Sequence, residues 1–423
     1  MSRAALEDLQ LRRLQTTLAW VYERVAHYRD AMDEAGVRPK DIHSLADIRK
    51  LPFTDKTVLR DTYPFGLFAV PMEQVNRVHA SSGTTGKPIV VGYTRGDLNT
   101  WAECCARVAA AAGVTERDIV QMAFGYGLFT GGFGMHAGVE RVGATIVPAG
   151  AGNTERHLTL MQDFGTTAIV STPSYALYLA EVGERMGIDV KGLALRVGLF
   201  GGEPCTDAAK REIEERLGIT ATDNYGLTEV MGPGVSGECE AAAGLHINED
   251  HFLWELVDPV SGEPVAEGEE GELVFTSLTK EAFPVLRYRT HDLTTVTTEP
   301  CACGRTTARM AKVRTRTDDM LIIRGVNVFP SQVEDVLYKI EGVSPHYLIV
   351  LGRKHGMDDM EVRIEVAEEI FSDVMSDMVG FTRNVGERLH AVIGLNVKVT
   401  LVEPGTIERT AGKARRVVDE RGL

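Results

Sequence analysis

Residues 4–35 place Leu11, Leu14, Leu18, Val21 and Val25 at alternating steps of three and four, with polar residues between them. That is the spacing of a helix with one face packed on the body of a protein. From about residue 75 to 275 the pattern changes. Short β-rich runs at Ile89–Tyr93, Ile119–Ala123, Thr145–Val147, Ala168–Ser171 and Val197–Phe200 alternate with helical stretches such as Asp97–Ala112 and Thr206–Leu217. Strand–helix alternation at this pitch predicts an α/β fold with a largely parallel sheet. Segments 252–257 and 271–277 read as antiparallel strands around a turn at Pro259–Gly262. The last hundred residues carry a short apolar run, a turn at Arg324 and Gly325, a helix over Ser331–Ile340, strands at 359–367 and 396–402, and a helix over 371–393. The expected organisation is a large N-terminal α/β domain (1–317), with a mainly parallel sheet plus antiparallel strands, and a small C-terminal α+β domain (318–423), joined near Thr317–Asp319.

Composition agrees with two domains and narrows the partners. A chain of 423 residues exceeds one ordinary core, and 44% hydrophobic with 25% charged residues is the make-up of a folded protein. Charged residues or histidine interrupt every apolar run before it could span a bilayer. The N-terminus carries acids early and does not read as a signal peptide. Six cysteines, with Cys104 and Cys105 adjacent, do not make a disulfide framework. The cytoplasm follows by elimination. A net charge of −15 argues against nucleic acid or an anionic membrane as a partner, while leaving phosphate-bearing small molecules open.

The strongest local signal is Ser81-Ser82-Gly83-Thr84-Thr85-Gly86-Lys87-Pro88. Small hydroxyl residues and two glycines let backbone N–H groups approach a polyphosphate, and Lys87 adds positive charge. The spacing is not that of a Walker A loop, and the strand-like Ile89–Tyr93 follows, so the loop lies between strands and opens no helix. Aromatics and glycines together suit a flat ring. Candidate walls of such a pocket are Phe124, Tyr126, Phe129, Gly131 and Phe133, with Ser171 and Pro173 further on. Separately, Cys239-x6-His246 and Cys301-Ala302-Cys303 supply three thiols and one imidazole, a structural zinc set with no open position. His251 and His291 are alternative fourth ligands. Cys104, Cys105 and Cys205 show no such grouping.

Four further pieces follow the Ser/Thr/Gly loop in order. They are Gly201-Gly202-Glu203-Pro204 with Asn224-Tyr225-Gly226-Leu227-Thr228-Glu229, then Tyr288-Arg289-Thr290-His291-Asp292, then Arg316-Thr317-Asp318-Asp319, then Arg409-Thr410-Ala411-Gly412-Lys413. Together they resemble the adenylate-forming superfamily of acyl-CoA synthetases, adenylation domains and luciferases. Within it, the stretches at 125–132, 276–294 and 318–334 look like the phenylacetate–CoA ligase group. The resemblance extends over essentially the whole chain. Thr315, where glycine is common, and His291, where Arg or Gly is common, depart from the group's pattern without removing a charge the chemistry needs.

The resemblance implies an ATP-dependent ligase that forms an aryl-acyl-adenylate and passes the acyl group to coenzyme A, releasing AMP and pyrophosphate. It implies that Glu229 helps hold Mg²⁺, and that Thr228 and the 81–87 loop grip the phosphates. Asp292 would accept from the ribose hydroxyls with Arg316 beside it. Gly202, Glu203, Pro204, Asn224, Tyr225 and Gly226 would frame the adenine. Lys413 would bridge carboxylate and α-phosphate, on a C-terminal domain that is mobile about a hinge at Asp318. The expected partners are the acid, ATP and coenzyme A, and a homodimer is allowed. Open alternatives are an AMP transferase acting on another cofactor, a loader of an acyl carrier protein, and a non-catalytic nucleotide-binding protein.

Overall fold

The computed structural model describes residues 1–81, 88–313, 315–324, 326–354, 357–366, 375–409 and 414–421. The N-terminal apolar period winds into two helices rather than one, α1 (Arg3–Arg24) and α2 (Ala26–Glu34). Val25 between them is extended (φ −114°, ψ 107°), so the helix breaks while Val25, Tyr28 and Met32 carry the buried face onward. After the short α3 (Lys56–Asp61) come β1 (Arg77–Ala80) and β2 (Val90–Tyr93), an antiparallel pair with Ala80 opposite Val90.

The alternation then runs α4 (Arg95–Ala111), β3 (Ile119–Met122), α5 (Thr130–Val142), β4 (Thr145–Val147), α6 (Thr154–Phe164), β5 (Ala168–Ser171), α7 (Pro173–Arg185), β6 (Val197–Gly201), α8 (Asp207–Leu217) and β7 (Thr220–Leu227). Helix starts follow capping chemistry. Thr94, Thr172 and Thr206 each accept the N–H three residues on, and Pro173 takes the first helical position, where a missing N–H costs nothing. Asp97 closes the box at Thr94 and also accepts from the N–H groups of Glu281 and Ala282 at 2.7 and 2.9 Å. That one fully buried carboxylate fixes both the start of α4 and the loop after residue 278.

The chain continues through β8 (Gly232–Glu238), β9 (Leu245–Ile247), β10 (Phe252–Val257), β11 (Gly271–Ser277), β12 (Tyr288–Thr294), β13 (Val296–Thr297) and β14 (Arg309–Met310). Among the described residues, one sheet has the order β13-β14-β9-β8-β7-β6-β5-β3-β4. Its β4, β3, β5, β6 and β7 pair in parallel, as the alternation predicts, and β8, β9, β14 and β13 extend it antiparallel. The predicted strands at 252–257 and 271–277 pair antiparallel, and β12 joins β11 on the other side.

Two compact units emerge. The first comprises Met1–Ser171, Leu193–Gly202 and Thr220–Val313; the second comprises Thr172–Gly192, Glu203–Ile219 and Arg314–Leu423. The second unit therefore takes in α7 and α8 as well as the C-terminal segment. The first unit's core gathers Leu14, Leu18, Trp101, Val120, Leu199, Phe252, Phe275 and Tyr288, all nearly fully buried.

In the second unit, β15 (Thr315–Arg316) precedes the hairpin of β16 (Leu321–Ile323) and β17 (Val326–Val328). Then come α9 (Pro330–Leu337), β18 (Val343–Lys354), β19 (Met357–Val366), α10 (Met375–Ile393), β20 (Lys398–Val402) and β21 (Val417–Asp419). The sheet order is β20-β19-β18-β21, with β18 and β19 antiparallel and the outer strands parallel to their neighbours. Val333, Val336, Leu337, Ile349, Val362, Val385 and Leu389 form its own small core. The predicted helix over 371–393 is observed from Met375; residues 367–374 lie outside the described set.

Candidate active site and metal centre

The phosphate-loop candidate lies between β1 and β2. The Ser81 N–H donates to the Ile89 carbonyl at 2.9 Å, and Ser81 Oγ accepts from the Ile89 N–H at 3.0 Å, closing the neck of the loop. Ser82, Gly83, Thr84, Thr85, Gly86 and Lys87 lie outside the described residues. Just before the neck, the Leu128 carbonyl accepts from both the Ala80 N–H at 3.0 Å and His79 Nδ1 at 2.9 Å. A carbonyl only accepts, so Nδ1 carries the proton. Burial keeps the His79 pKa low, so the ring is a neutral donor. One carbonyl thus fastens the aromatic stretch at 124–133 to the strand that leads into the phosphate loop. Sequence reading passed over His79, which belongs to no motif.

Thr228 and Glu229 sit in the turn between β7 and β8, both buried, with the Val230 and Met231 N–H groups donating back to the Leu227 carbonyl. Gly226 is required just before it. A Cβ there would lie 1.9 Å from the Gly232 carbonyl oxygen, at the irregular step in the β7–β8 register. Thr228 Oγ1 lies 3.4 Å from Thr130 Oγ1 at the start of α5, so the motif turn and the aromatic stretch touch. Tyr225 donates its phenolic hydrogen to Asp292 Oδ2 at 2.6 Å, and Asp292 is itself buried on β12. Asn224 points inward instead: its Oδ1 accepts from the Gly234 N–H at 3.3 Å, and its Nδ2 lies 3.8 Å from Met135 Sδ.

The aromatic candidates come together where β3 passes into α5. The Phe124 and Phe129 rings are 6.0 Å apart, and Tyr126 meets Phe133 edge-on at 5.3 Å. The Arg77 guanidinium lies 4.8 Å from the Phe133 ring centroid. Tyr126 Oη is 3.0 Å from His136 Nδ1, and burial pushes its hydroxyl up to about 12, so Tyr126 stays a neutral phenol. Gly131 lies against Phe129, where a Cβ would come within 2.4 Å of the ring. Ser171 is the buried last residue of β5, and Pro173 opens α7.

Gly202 follows β6 with φ +85°. In the second unit, Glu203 accepts from the Ser174 N–H at 2.7 Å and from the Ala414 N–H at 2.9 Å, and Pro204 is exposed. Arg316 donates to Asp318 Oδ1 at 2.9 Å. Thr410, Ala411, Gly412 and Lys413 lie outside the described residues.

The sulfur and nitrogen donors of Cys239, His246, Cys301 and Cys303 lie within 4.8 Å of one another. Cys239 and Cys301 sulfurs are 3.8 Å apart, and Cys303 Sγ is 3.3 Å from His246 Nε2. Tetrahedral zinc with Zn–S bonds of ~2.3 Å sets sulfurs about 3.8 Å apart, so the donors fit that ion. His246 Nδ1 is 3.1 Å from Thr307 Oγ1, which turns Nε2 toward the thiols. His251 is engaged elsewhere, with Thr279 Oγ1 at 2.8 Å and Asp250 at 3.2 Å, and His291 lies 3.6 Å from Glu272. His246 is therefore the fourth donor of the group. Cys104 and Cys105 are buried in the packing of α4.

Lys280 also escaped sequence reading, because neither periodicity nor spacing singles it out. It is buried, with Nζ 3.5 Å from the Tyr93 ring centroid and 3.7 Å from Met231 Sδ, two residues beyond Glu229. Burial pushes its ammonium down to about 7, against a smaller opposing pull from Asp97.

The family described as AMP-binding enzyme matches residues 69–279, and the AMP-binding enzyme C-terminal domain matches residues 325–421. The chain is 52% identical over 438 residues to the phenylacetate-coenzyme A ligase of Thermus thermophilus, covering 100% of this chain and 98% of that one. It is 51% identical over 420 residues to the Escherichia coli phenylacetate-coenzyme A ligase, covering 99% and 95%. Among solved structures, 2-hydroxyisobutyryl-CoA ligase in the postadenylation state in complex with R3-HIB-AMP superposes with a TM-score of 0.93 at 31% identity, over 100% of this chain and 91% of that one. With half of all positions identical from end to end, and the motif turn, the buried Asp292 and the aromatic stretch folded into one unit, the chain belongs to the phenylacetate–coenzyme A ligase family of AMP-binding, adenylate-forming acid–thiol ligases.

Proposed function

We propose that this enzyme converts phenylacetate, or a closely related aryl acid, with ATP and coenzyme A into the acyl-CoA, AMP and pyrophosphate. The observation that carries the reading is the contact of Thr130 with Thr228 at 3.4 Å, which sets the aromatic stretch against the motif turn. An acid held by Phe124, Tyr126, Phe129, Gly131, Phe133, Ser171 and Pro173 would then lie next to the phosphates it must attack.

In the first half-reaction a carboxylate oxygen attacks the α-phosphorus and the bond to pyrophosphate breaks. Two anions meet, so positioning and positive charge carry the catalysis. Thr228 and the 81–87 loop hold the phosphates, and Glu229 holds Mg²⁺, which screens the triphosphate when bound. Asp292, oriented by Tyr225, accepts from the ribose hydroxyls, with Arg316 as its cationic companion. Gly202, Glu203, Pro204, Asn224, Tyr225 and Gly226 frame the adenine, Glu203 and Asn224 through their backbone because their side chains are engaged as described. Lys413 bridges carboxylate and α-phosphate. In the second half-reaction a thiolate attacks the acyl carbonyl of the mixed anhydride and AMP leaves. Lys413 must then give way to the thiol, which is the reason for placing a hinge at Asp318 between domains 1–317 and 318–423.

Cys239, His246, Cys301 and Cys303 would hold a structural zinc ion, and six cysteines with no disulfide among them suit a cytoplasmic enzyme. Comparing kcat/KM for phenylacetate and hexanoate tests the substrate class. A ring-shaped pocket favours phenylacetate, and a clear preference for hexanoate would remove the aryl acid from the reading.

A further inference from the structure

Ser174, Tyr178 and Glu181 stand at steps of four and three along α7, which puts them on one face of that helix. The described residues on either side of 410–413 are both tied to this helix, Arg409 directly and Ala414 through Glu203. On the C-terminal side, Glu203 takes the Ser174 N–H on Oε1 at 2.7 Å and the Ala414 N–H on Oε2 at 2.9 Å. On the N-terminal side, the Arg409 guanidinium lies 3.5 Å from Glu181 Oε2 and 5.9 Å from the Tyr178 ring centroid. It also donates to both oxygens of Glu365 at 2.8 Å. His346 Nε2 stands 3.2 Å from the same Glu181 oxygen. All these groups belong to the second unit.

Arg409 and Ala414 bracket the stretch Thr410-Ala411-Gly412-Lys413, which lies outside the described residues. Fixing both ends lowers the entropic cost of presenting that lysine to a reacting centre. We propose that Glu203 and Glu181 are positioning residues for adenylation, seating the two ends of the Lys413-bearing stretch on one face of α7. The proposal rests on the reading of Lys413 as the adenylation lysine. An adenine contact would need a Glu203 oxygen turned to the base, whereas each of its oxygens already holds a backbone N–H. The thiol step does not use Lys413, so it does not need the seat.

The test uses the full-length enzyme with Glu203→Gln and Glu181→Gln. Pyrophosphate exchange reads adenylation, and thioester formation from synthetic phenylacetyl-AMP and coenzyme A reads the second step. A glutamine at 203 can accept on one arm only, and its amide nitrogen then opposes the other N–H. Loss of one charge-assisted hydrogen bond lowers the rate of exchange about tenfold. KM for ATP should stay within about twofold, since ground-state binding is untouched. Thioester formation should be unchanged. A raised KM for ATP at constant kcat would make Glu203 an adenine contact and overturn the proposal. Equal loss in both half-reactions would make the residues merely structural and also overturn it. Lys413→Ala, run in parallel, separates the two layers. If exchange persists there, the lysine reading fails and takes the seat with it. If exchange is lost there but intact in the glutamate variants, only the seat fails.

Discussion

Tyr225 near the end of β7 holds Asp292 on β12, hydroxyl to carboxylate at 2.6 Å. The bond crosses from the nine-stranded sheet to the antiparallel one and fixes a buried acid before any nucleotide arrives. Tyr225→Phe keeps the ring and removes the donor. Hydrogen bonds to charged groups contribute ~1.5–3 kcal/mol, so KM for ATP should rise at least about tenfold with kcat little changed. An unchanged KM in pyrophosphate exchange would mean that Tyr225 does not orient the acid for ribose.

Much of this architecture is legible in the chain because burial leaves a mark. The fully buried Ala168–Ser171 strand and the Val197–Phe200 part of β6 read as apolar runs, and the helical stretches Asp97–Ala112 and Thr206–Leu217 correspond to α4 and α8. The break at Val25 is invisible to periodicity, since Val25, Tyr28 and Met32 continue the apolar face across it. The strand Gly232–Glu238 escapes the search for apolar runs because three of its seven residues are glycine. Its glycine content answers to α4 crossing closely: a Cβ at Gly237 would lie 2.5 Å from Val108 Cγ1. No local pattern carries that information. The four candidate metal donors are readable by type, but the choice of His246 over His251 depends on Thr307, Thr279 and Asp250, which only the fold brings near.

The proposed zinc site at Cys239, His246, Cys301 and Cys303 predicts about one equivalent of zinc per chain in protein purified without chelator. Cys301→Ser should lower the melting temperature and leave adenylation in the surviving folded fraction intact, because ligation is coupled to folding rather than to the reaction. Metal analysis that finds no zinc would refute the assignment.

Lys280 predicts a pH signature. Unfolded, it holds its proton to about 10.5; folded, only to about 7, because burial disfavours the charge. Below pH 7 the folded state bears the full cost of the buried charge, on the order of 5 kcal/mol as an upper bound. The cost fades as pH rises from 7 toward 10.5, since there the unfolded chain binds more protons than the folded one. Lys280→Met removes the titration. The stability gain of the variant over the parent should shrink by on the order of 3 kcal/mol between pH 7 and 9.5 in denaturant melts. A difference independent of pH would contradict the low value.

The two half-reactions should come apart by mutation. Lys413→Ala should slow adenylation on the order of a thousandfold, as losing a donor aimed at developing charge does, while sparing thioester formation from acyl-AMP. Asp318→Pro fixes φ at the proposed hinge and should do the reverse, permitting pyrophosphate exchange but impairing the thiol step. Stopped-flow traces of each step in each variant decide it. Equal slowing of both steps by Lys413→Ala would remove the support for two poses.

Product stoichiometry with and without coenzyme A tests the central claim most directly. With ATP, phenylacetate and coenzyme A, the enzyme should release AMP, pyrophosphate and phenylacetyl-CoA in equal amounts over many turnovers. Without coenzyme A it should give a pyrophosphate burst of about one per active site and then stall on the bound acyl-adenylate. Sustained AMP transfer without coenzyme A, or no pyrophosphate release with any aryl acid, would contradict the account.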